Sequence, residues 1–95
     1  MDVMILVSTR ESGPMVKGLM AALGRTGASW GCFFTNDGVA LAGDSEVVAL
    51  LGASQWANVC EHSWDKFGDG PCPVELGSQT QNSMMMGDAV RVVSL

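Results

Sequence analysis

Three cysteines and a single histidine are the most chemically reactive side chains of this sequence. Cys60, His62 and Cys72 fall within the segment NVCEHSWDKFGDGPC (residues 58–72), whereas Cys32 lies well before it. Cysteine and histidine can form a nucleophilic site or bind a soft metal ion. The segment therefore allows three interpretations: a reactive thiol, a metal site, or an acidic loop in which the cysteines have no chemical role.

Cys60 is the cysteine whose position best fits a functional thiol. The preceding QWANV predicts a strand that ends at Cys60, and a helical turn in the following EHSWDKF would direct N–H groups towards the sulfur. His62 and Lys66 favour the thiolate, whereas Glu61, Asp65 and Asp69 disfavour it. The alternative is a buried cysteine at a strand end that acts only as a small hydrophobic residue.

Cys72 and the metal interpretation receive less support from the spacing. Cys72 lies between Pro71 and Pro73 and is expected to be a loop thiol, with resolution of an oxidised Cys60 as an alternative role. A site of Cys60, His62 and Cys72 would have the spacing C-x-H-x9-C, which matches no usual zinc pattern and lacks a fourth ligand. We therefore predict neither a metal ion nor a cofactor.

Apolar runs alternate with amphipathic segments along the chain, which is typical of a parallel sheet covered by helices. The predicted strands are Asp2–Ser8, Ala28–Asn36, Gln55–Cys60, Pro73–Leu76 and Val90–Leu95. The predicted helices are Pro14–Gly24, Ser45–Ser54 and Ser78–Ala89, with one further turn in EHSWDKF. Gly24 is expected to end the first helix, Asp44 to cap the second, and Ser78 or Thr80 to cap the third. The fold class is therefore α/β: one domain over residues 1–95, a three-layer sandwich with a mostly parallel sheet of four or five strands and helices on both faces.

In an open parallel sheet, ligands bind beyond the carboxyl ends of the strands. Four loops should meet at that edge, and they are Ser8–Gly13, Thr35–Val39, Cys60–Trp64 and Gly77–Gln81. The candidate site is Cys60 as the nucleophile, with pocket or modulating residues His62, Ser8, Thr9, Asp37, Gly77 and Ser78. Hydroxyls and glycines at helix starts also suit phosphate groups, although neither a Walker nor a G-x-G-x-x-G pattern is present. A nucleotide or flavin site at this edge therefore remains an alternative.

The composition limits the classes of partner. The 95 residues include five basic and ten acidic side chains, for a net charge of −5, and the basic ones are scattered. Nucleic acid and anionic membranes are therefore not expected as partners. No apolar run approaches the roughly 20 residues that span a bilayer, and the N-terminus lacks the basic start of a signal peptide, so we expect a cytoplasmic protein with reduced thiols. A hydrophobic content of 47% in so short a chain predicts self-association into a homo-oligomer.

Four stretches of the sequence resemble the DsrE/DsrF-like family, which includes the TusD-related sulfur-relay proteins. They are VMILVSTRESGP, FFTNDGVAL, ANVCEHS and VELGSQTQNSMMMGDAVRVVSL, and the resemblance runs over almost the whole chain. It implies a parallel sheet between helical layers, frequent oligomers, and a cysteine after the third strand that carries sulfur as a persulfide. Cys60 matches that cysteine, so the resemblance implies a sulfur donor or acceptor protein as partner.

Three functions follow as hypotheses from these observations. The first is a sulfur-relay-like protein, a sulfurtransferase or sulfur carrier, whose acidic surface meets a basic partner protein. The second is a non-catalytic subunit or interaction module of an oligomer. The third is a small-molecule binder that uses the loops at the carboxyl edge of the sheet.

Overall fold

Five short strands form one all-parallel sheet in the computed structural model, which describes residues 1–95. The strands are β1 (Val3–Val7), β2 (Trp30–Phe34), β3 (Trp56–Cys60), β4 (Leu76–Gly77) and β5 (Arg91–Ser94), in the order β4-β3-β2-β1-β5. From β1 to β4 the chain advances in one direction across the sheet, and it then returns to place β5 beside β1. Because parallel crossovers are right-handed, helices that join strands advancing in opposite directions lie on opposite faces.

The helices follow this rule and form the two outer layers. They are α1 (Gly13–Thr26), α2 (Ser45–Leu51), α3 (Glu61–Phe67) and α4 (Gln79–Asp88), with 3-10 segments at Arg10–Ser12 and Asn36–Gly43. The first three helices share one apolar cluster with the sheet, whereas α4 belongs to a second cluster. The predicted three-layer α/β architecture is confirmed. None of these helices has the length and apolar character needed to cross a bilayer.

The core is divided between the two faces of the sheet because successive side chains of a strand point to opposite sides. On the face of α1, α2 and α3, the strands contribute a large buried cluster that includes Ile5, Trp30 and Phe34. On the face of α4, the cluster is small and consists of Met4, Phe33, Cys60 and Met85. The candidate nucleophile therefore lies on the less heavily covered face of the sheet.

Several local predictions differ from the structure, including the fourth strand, which comprises Leu76–Gly77 instead of Pro73–Leu76. Gly24 does not end the first helix: α1 continues to Thr26, and Gly27 terminates it with a φ of 73°. A glycine that adopts the left-handed region ends a helix at little steric cost, and this condition is met at Gly27. The segment EHSWDKF forms a full seven-residue helix instead of one turn, and NDGVALAG forms a long 3-10 segment in place of a loop.

The predicted caps are confirmed at the two helices where the sequence offers a clear acceptor. The Asp44 carboxylate accepts from the N–H groups of Glu46 and Val47 at the start of α2. Ser78 and Gln81 form a reciprocal capping box at the start of α4. The second cap matters for the site, because it orients the first turn of α4, which includes Gln79, towards the end of β3.

Candidate functional site

Cys60 is the last residue of β3 and the N-cap residue of α3. Its side chain is 4% exposed and packs with Met4, Phe33 and Met85 beneath α4. In the sheet it pairs with Gly77 of the two-residue strand β4. The thiol therefore lies at the carboxyl edge of the sheet, where a strand passes directly into a helix.

Two opposing effects act on the acidity of Cys60. Burial by itself would raise the pKa of the thiol. Hydrogen bonds from the Ser63 hydroxyl, the Ser63 N–H, the Gln79 amide and the His62 N–H act against burial, and they bring the pKa below the ordinary value of 9.0. The neutral sulfur closes no regular capping bond, so these donors act chiefly on the thiolate, which is the stronger acceptor.

The causes of the lowered pKa of Cys60 differ from what the sequence predicted for the acidic residues and for His62. The acidic residues were expected to disfavour a thiolate, but none of them is among the causes of the shift, which are burial and the donor groups of Ser63, Gln79 and His62. His62 was expected to contribute positive charge, and its contribution to the lowered pKa comes instead from its main-chain N–H. Cys60 thus lies in surroundings that favour the ionised thiol, as a nucleophilic cysteine requires.

Ser63 and Gln79 are functional candidates that sequence reasoning missed. The Ser63 oxygen accepts from the Asn36 N–H at 2.9 Å and lies 3.5 Å from the Thr35 hydroxyl oxygen. Gln79 Nε2 donates to the same Thr35 oxygen at 3.4 Å. The residues after β2 therefore hold both side chains beside Cys60. Cap geometry offered a signal for Ser63, because the N–H groups two and three residues after an N-cap face its side chain.

The loop that holds Ser63 is itself constrained. Asn36 has a φ of 51°, in the left-handed region that non-glycine residues seldom adopt. Its neighbour Gly38 packs on the end of β1, where an added Cβ would lie 2.6 Å from the Val7 carbonyl oxygen. Thr35 donates its N–H to that same oxygen at 2.9 Å. A backbone conformation that the surroundings enforce in this way is common at functional sites.

Replacing Gly38 with alanine is expected to lower the free energy of unfolding by about 1–3 kcal/mol, because the new methyl group must displace backbone. The matched control is Gly18→Ala in α1, where a Cβ would meet no atom within 4 Å. That control should be neutral or stabilising by up to about 1 kcal/mol, because alanine favours a helix. Urea denaturation of both variants checks the prediction, and equal stabilities would contradict it.

One pocket, of about 360 Å³, opens between the Asn36–Gly43 segment and α3, near the helix start that follows Cys60. It is lined by Asn36, Asp37, His62, Ser63, Lys66 and Phe67. The Asp37 carboxylate accepts from the Arg10 N–H at 3.3 Å, which ties the loop after β1 to the pocket wall. Ser63 belongs to both the pocket and the surroundings of the thiol, and it thereby connects the two.

The other predicted pocket residues have more local roles. Ser8 bonds to the Leu95 carbonyl through its N–H at 2.7 Å and its hydroxyl at 3.2 Å. Thr9 is exposed, and its carbonyl accepts from the hydroxyl of Ser12. Gly77 lies beside Cys60 in the sheet, and Ser78 caps α4. Asp37 and His62 line the pocket, whereas Ser8, Thr9 and Ser78 stabilise the loops and helix around it.

The remaining cysteines differ from Cys60 in their surroundings. Cys32 is fully buried, and burial raises its pKa well above 9.0. Burial also raises the pKa of Cys72, although the Val74 N–H opposes the shift. Cys72 packs against the large cluster and Cys60 belongs to the small one, so the two thiols lie on opposite faces of the sheet. No group of three histidine, cysteine or carboxylate side chains is arranged to hold a metal ion.

Comparisons with known proteins leave the site to be interpreted from its own geometry. No protein-family model matches the chain, and no curated protein or solved structure does so either. The resemblance to the DsrE/DsrF-like family therefore stays a prediction from the sequence. The features that bear on function are Cys60, the donor groups that lower its pKa, and the pocket lined by His62 and Ser63.

Proposed function

We propose that the chain is a sulfur carrier in which Cys60 accepts a sulfur atom as a persulfide and passes it to an acceptor. The observation that supports this most directly is the set of four donor groups around the sulfur, which lower its pKa despite burial. The donors come from two helices, α3 and α4, that cover opposite faces of the sheet. A cysteine that served only as a small hydrophobic residue would need none of them.

The chemistry requires an ionised thiol and a donor that contains sulfane sulfur. The Cys60 thiolate attacks the outer sulfur of the donor and forms a new S–S bond. The S–S bond of the donor breaks, and its electron pair leaves with the remaining thiolate of the donor. No external oxidant is needed. With 4% of its surface exposed, Cys60 is also shielded from most solvent-borne thiols that would remove the sulfur.

Loading with inorganic polysulfide is expected to add one sulfur atom to Cys60. Intact mass spectrometry detects the added sulfur, and peptide mapping after alkylation locates it. The variant Cys60→Ser should remain unloaded, whereas Cys72→Ser should load as the parent protein does. Equal loading of Cys32 or Cys72 in the folded protein, or no loading at all, would refute the proposal.

The three thiols are expected to ionise in a definite order. As the pH rises, alkylation by neutral iodoacetamide should appear at Cys60 first, because its pKa is lowered, and at Cys72 later, because burial raises its pKa. Cys32 should react only when the protein is unfolded, since it is fully buried. Quantitative peptide mapping across the pH range measures all three in one sample. A Cys72 midpoint at or below that of Cys60 would count against a functional thiolate at Cys60.

An acidic surface next to Cys60 provides a means of recognising the sulfur-accepting partner. Glu61, Asp65 and Asp69 are all exposed on α3 and the loop after it. Complementary charge accelerates encounter between proteins, so we infer a basic surface on the acceptor protein. Association with such a partner should weaken as the salt concentration rises.

A second candidate function, a non-catalytic oligomer subunit, is favoured by a different observation. On and after α4, several apolar side chains are exposed: Met84 by 57%, Val90 by 79% and Val92 by 43%. We propose that these side chains contribute to a contact with another subunit. In this role, the Cys60→Ser variant would keep both its oligomeric state, measured by analytical ultracentrifugation, and its biological activity.

A further inference from the structure

The pocket beside Cys60 has no role in the function proposed above. We propose that it binds the sulfur donor and that this donor is a zwitterionic low-molecular-weight persulfide of the α-amino-acid class, such as cysteine persulfide. The inference rests on the proposed function of Cys60, and it adds the identity of the donor and the residues that select it.

Two opposite charges that form no ion pair lie in this one pocket. Asp37 and Lys66 both line it, yet they form no ion pair with each other or with any other side chain. The Lys66 ammonium lies 5.4 Å from the centre of the Phe67 ring, which forms an apolar wall beside it. An α-amino acid presents a carboxylate and an ammonium group, which match Lys66 and Asp37 respectively. The His62 side chain lines the same pocket and offers a further polar contact.

The size of the pocket and the net charge of the protein both favour a small ligand without net charge. A volume of about 360 Å³ is at the small end of the roughly 300–1,000 Å³ typical of small-molecule sites. The net charge of −5 and the acidic side chains on α3 repel anions. An α-amino-acid persulfide avoids this repulsion when its –SSH group is protonated, because its ammonium and carboxylate charges then cancel. An anionic sulfur donor of similar size would have to overcome it.

Ser63 connects the pocket with the segment that contains the thiol. This residue lines the pocket, it lies on the first turn of α3 three residues after Cys60, and its hydroxyl is one of the groups that lower the pKa of the thiol. Cys60 itself does not line the pocket, so a ligand held by Lys66 and Asp37 would have to reach the thiol past Ser63. The Cys60 thiolate then bonds to the outer sulfur, the S–S bond of the donor breaks, and the amino-acid thiolate leaves with the electron pair.

Three persulfides that differ in one charge each provide the test. Cysteine persulfide has both charges, the persulfide of N-acetylcysteine lacks the ammonium group, and that of cysteine methyl ester lacks the carboxylate. The rate at which Cys60 gains one sulfur atom is measured by mass spectrometry as a function of donor concentration. Half-saturation should occur at the lowest concentration for cysteine persulfide. Each missing charge should raise it about two- to fivefold, as expected for exposed charge pairs.

Variants of the pocket assign each charge to its partner. Lys66→Gln should raise the half-saturating concentration of cysteine persulfide but not that of the methyl ester persulfide. Asp37→Asn should raise the half-saturating concentration of cysteine persulfide but not that of N-acetylcysteine persulfide. Arg25→Gln and Glu46→Gln make the same charge changes at exposed positions outside the pocket, and they control for net charge.

The outcomes separate this inference from the proposed function. Equal half-saturation for the three persulfides, or equal effects of the pocket and control variants, would overturn the inference while inorganic polysulfide still loaded Cys60. Failure of every donor, polysulfide included, would overturn the proposed function and the inference with it. Charge-specific effects confined to the pocket variants would support the inference.

Discussion

Replacing Ser63 with alanine is expected to raise the pKa of Cys60 and to slow its alkylation near neutral pH. In the parent protein, burial opposes ionisation, and the Ser63 hydroxyl is the first of the groups that counteract it. The hydroxyl oxygen accepts from the Asn36 N–H at 2.9 Å and lies 3.5 Å from the Thr35 hydroxyl oxygen, so the sulfur and Thr35 compete for its proton. Alanine removes this donor and keeps the main-chain N–H, so the shift reports on the loss of the hydroxyl, both as a donor and as the acceptor of the Asn36 N–H. The pH dependence of iodoacetamide alkylation at Cys60 measures it.

Two further variants make the Ser63 experiment specific. Ser63→Thr retains the hydroxyl and should keep most of the lowered pKa. Ser83→Ala removes a hydroxyl from an exposed position on α4 and should leave Cys60 unchanged. Sulfur loading should follow the thiolate population, so Ser63→Ala should load more slowly at neutral pH and recover at higher pH. An unchanged alkylation midpoint in Ser63→Ala would show that the hydroxyl does not stabilise the thiolate.

Replacing Phe33 with alanine is expected to lower the free energy of unfolding by about 3–5 kcal/mol, the usual cost of removing a fully buried phenylalanine. Phe33 has no exposed surface and packs with Met4, Cys60 and Met85 on the α4 face. Small domains are stable by only about 5–15 kcal/mol, so the loss is a large fraction of the total. Because only one helix covers this face, few side chains can move in to fill the cavity.

The matched control for this experiment is Phe67→Ala. Phe67 is 39% exposed at the end of α3, so its loss should cost much less than that of Phe33. Urea denaturation of the two variants gives the comparison, and circular dichroism establishes whether Phe33→Ala is folded before the titration. Similar losses in both variants would mean that the α4-face cluster does not contribute to stability as its burial indicates.

The sequence by itself determined those features that depend on neighbouring residues. Apolar runs separated by amphipathic segments indicated the order of strands and helices, because the spacing of apolar residues within a short segment distinguishes a strand from a helix. The strand that ends at Cys60 and the cap at Asp44 were recognisable for the same reason. The end of α1 was placed wrongly at Gly24, since two glycines compete there and the backbone angle selects Gly27.

Only the tertiary structure decided which distant groups contact the thiol and which do not. Gln79 and Thr35 are separated by 44 residues, and they come together because parallel strands end at one edge of the sheet. Ser63 contacts the loop after β2 for the same reason, and Asp37 and Lys66 share a pocket without pairing. Cys60 and Cys72 belong to one short stretch of sequence, yet they pack in different clusters. Separation along the sequence therefore does not predict which groups are in contact here. The sheet brings remote segments together at its edge, and it separates neighbouring ones between its two faces.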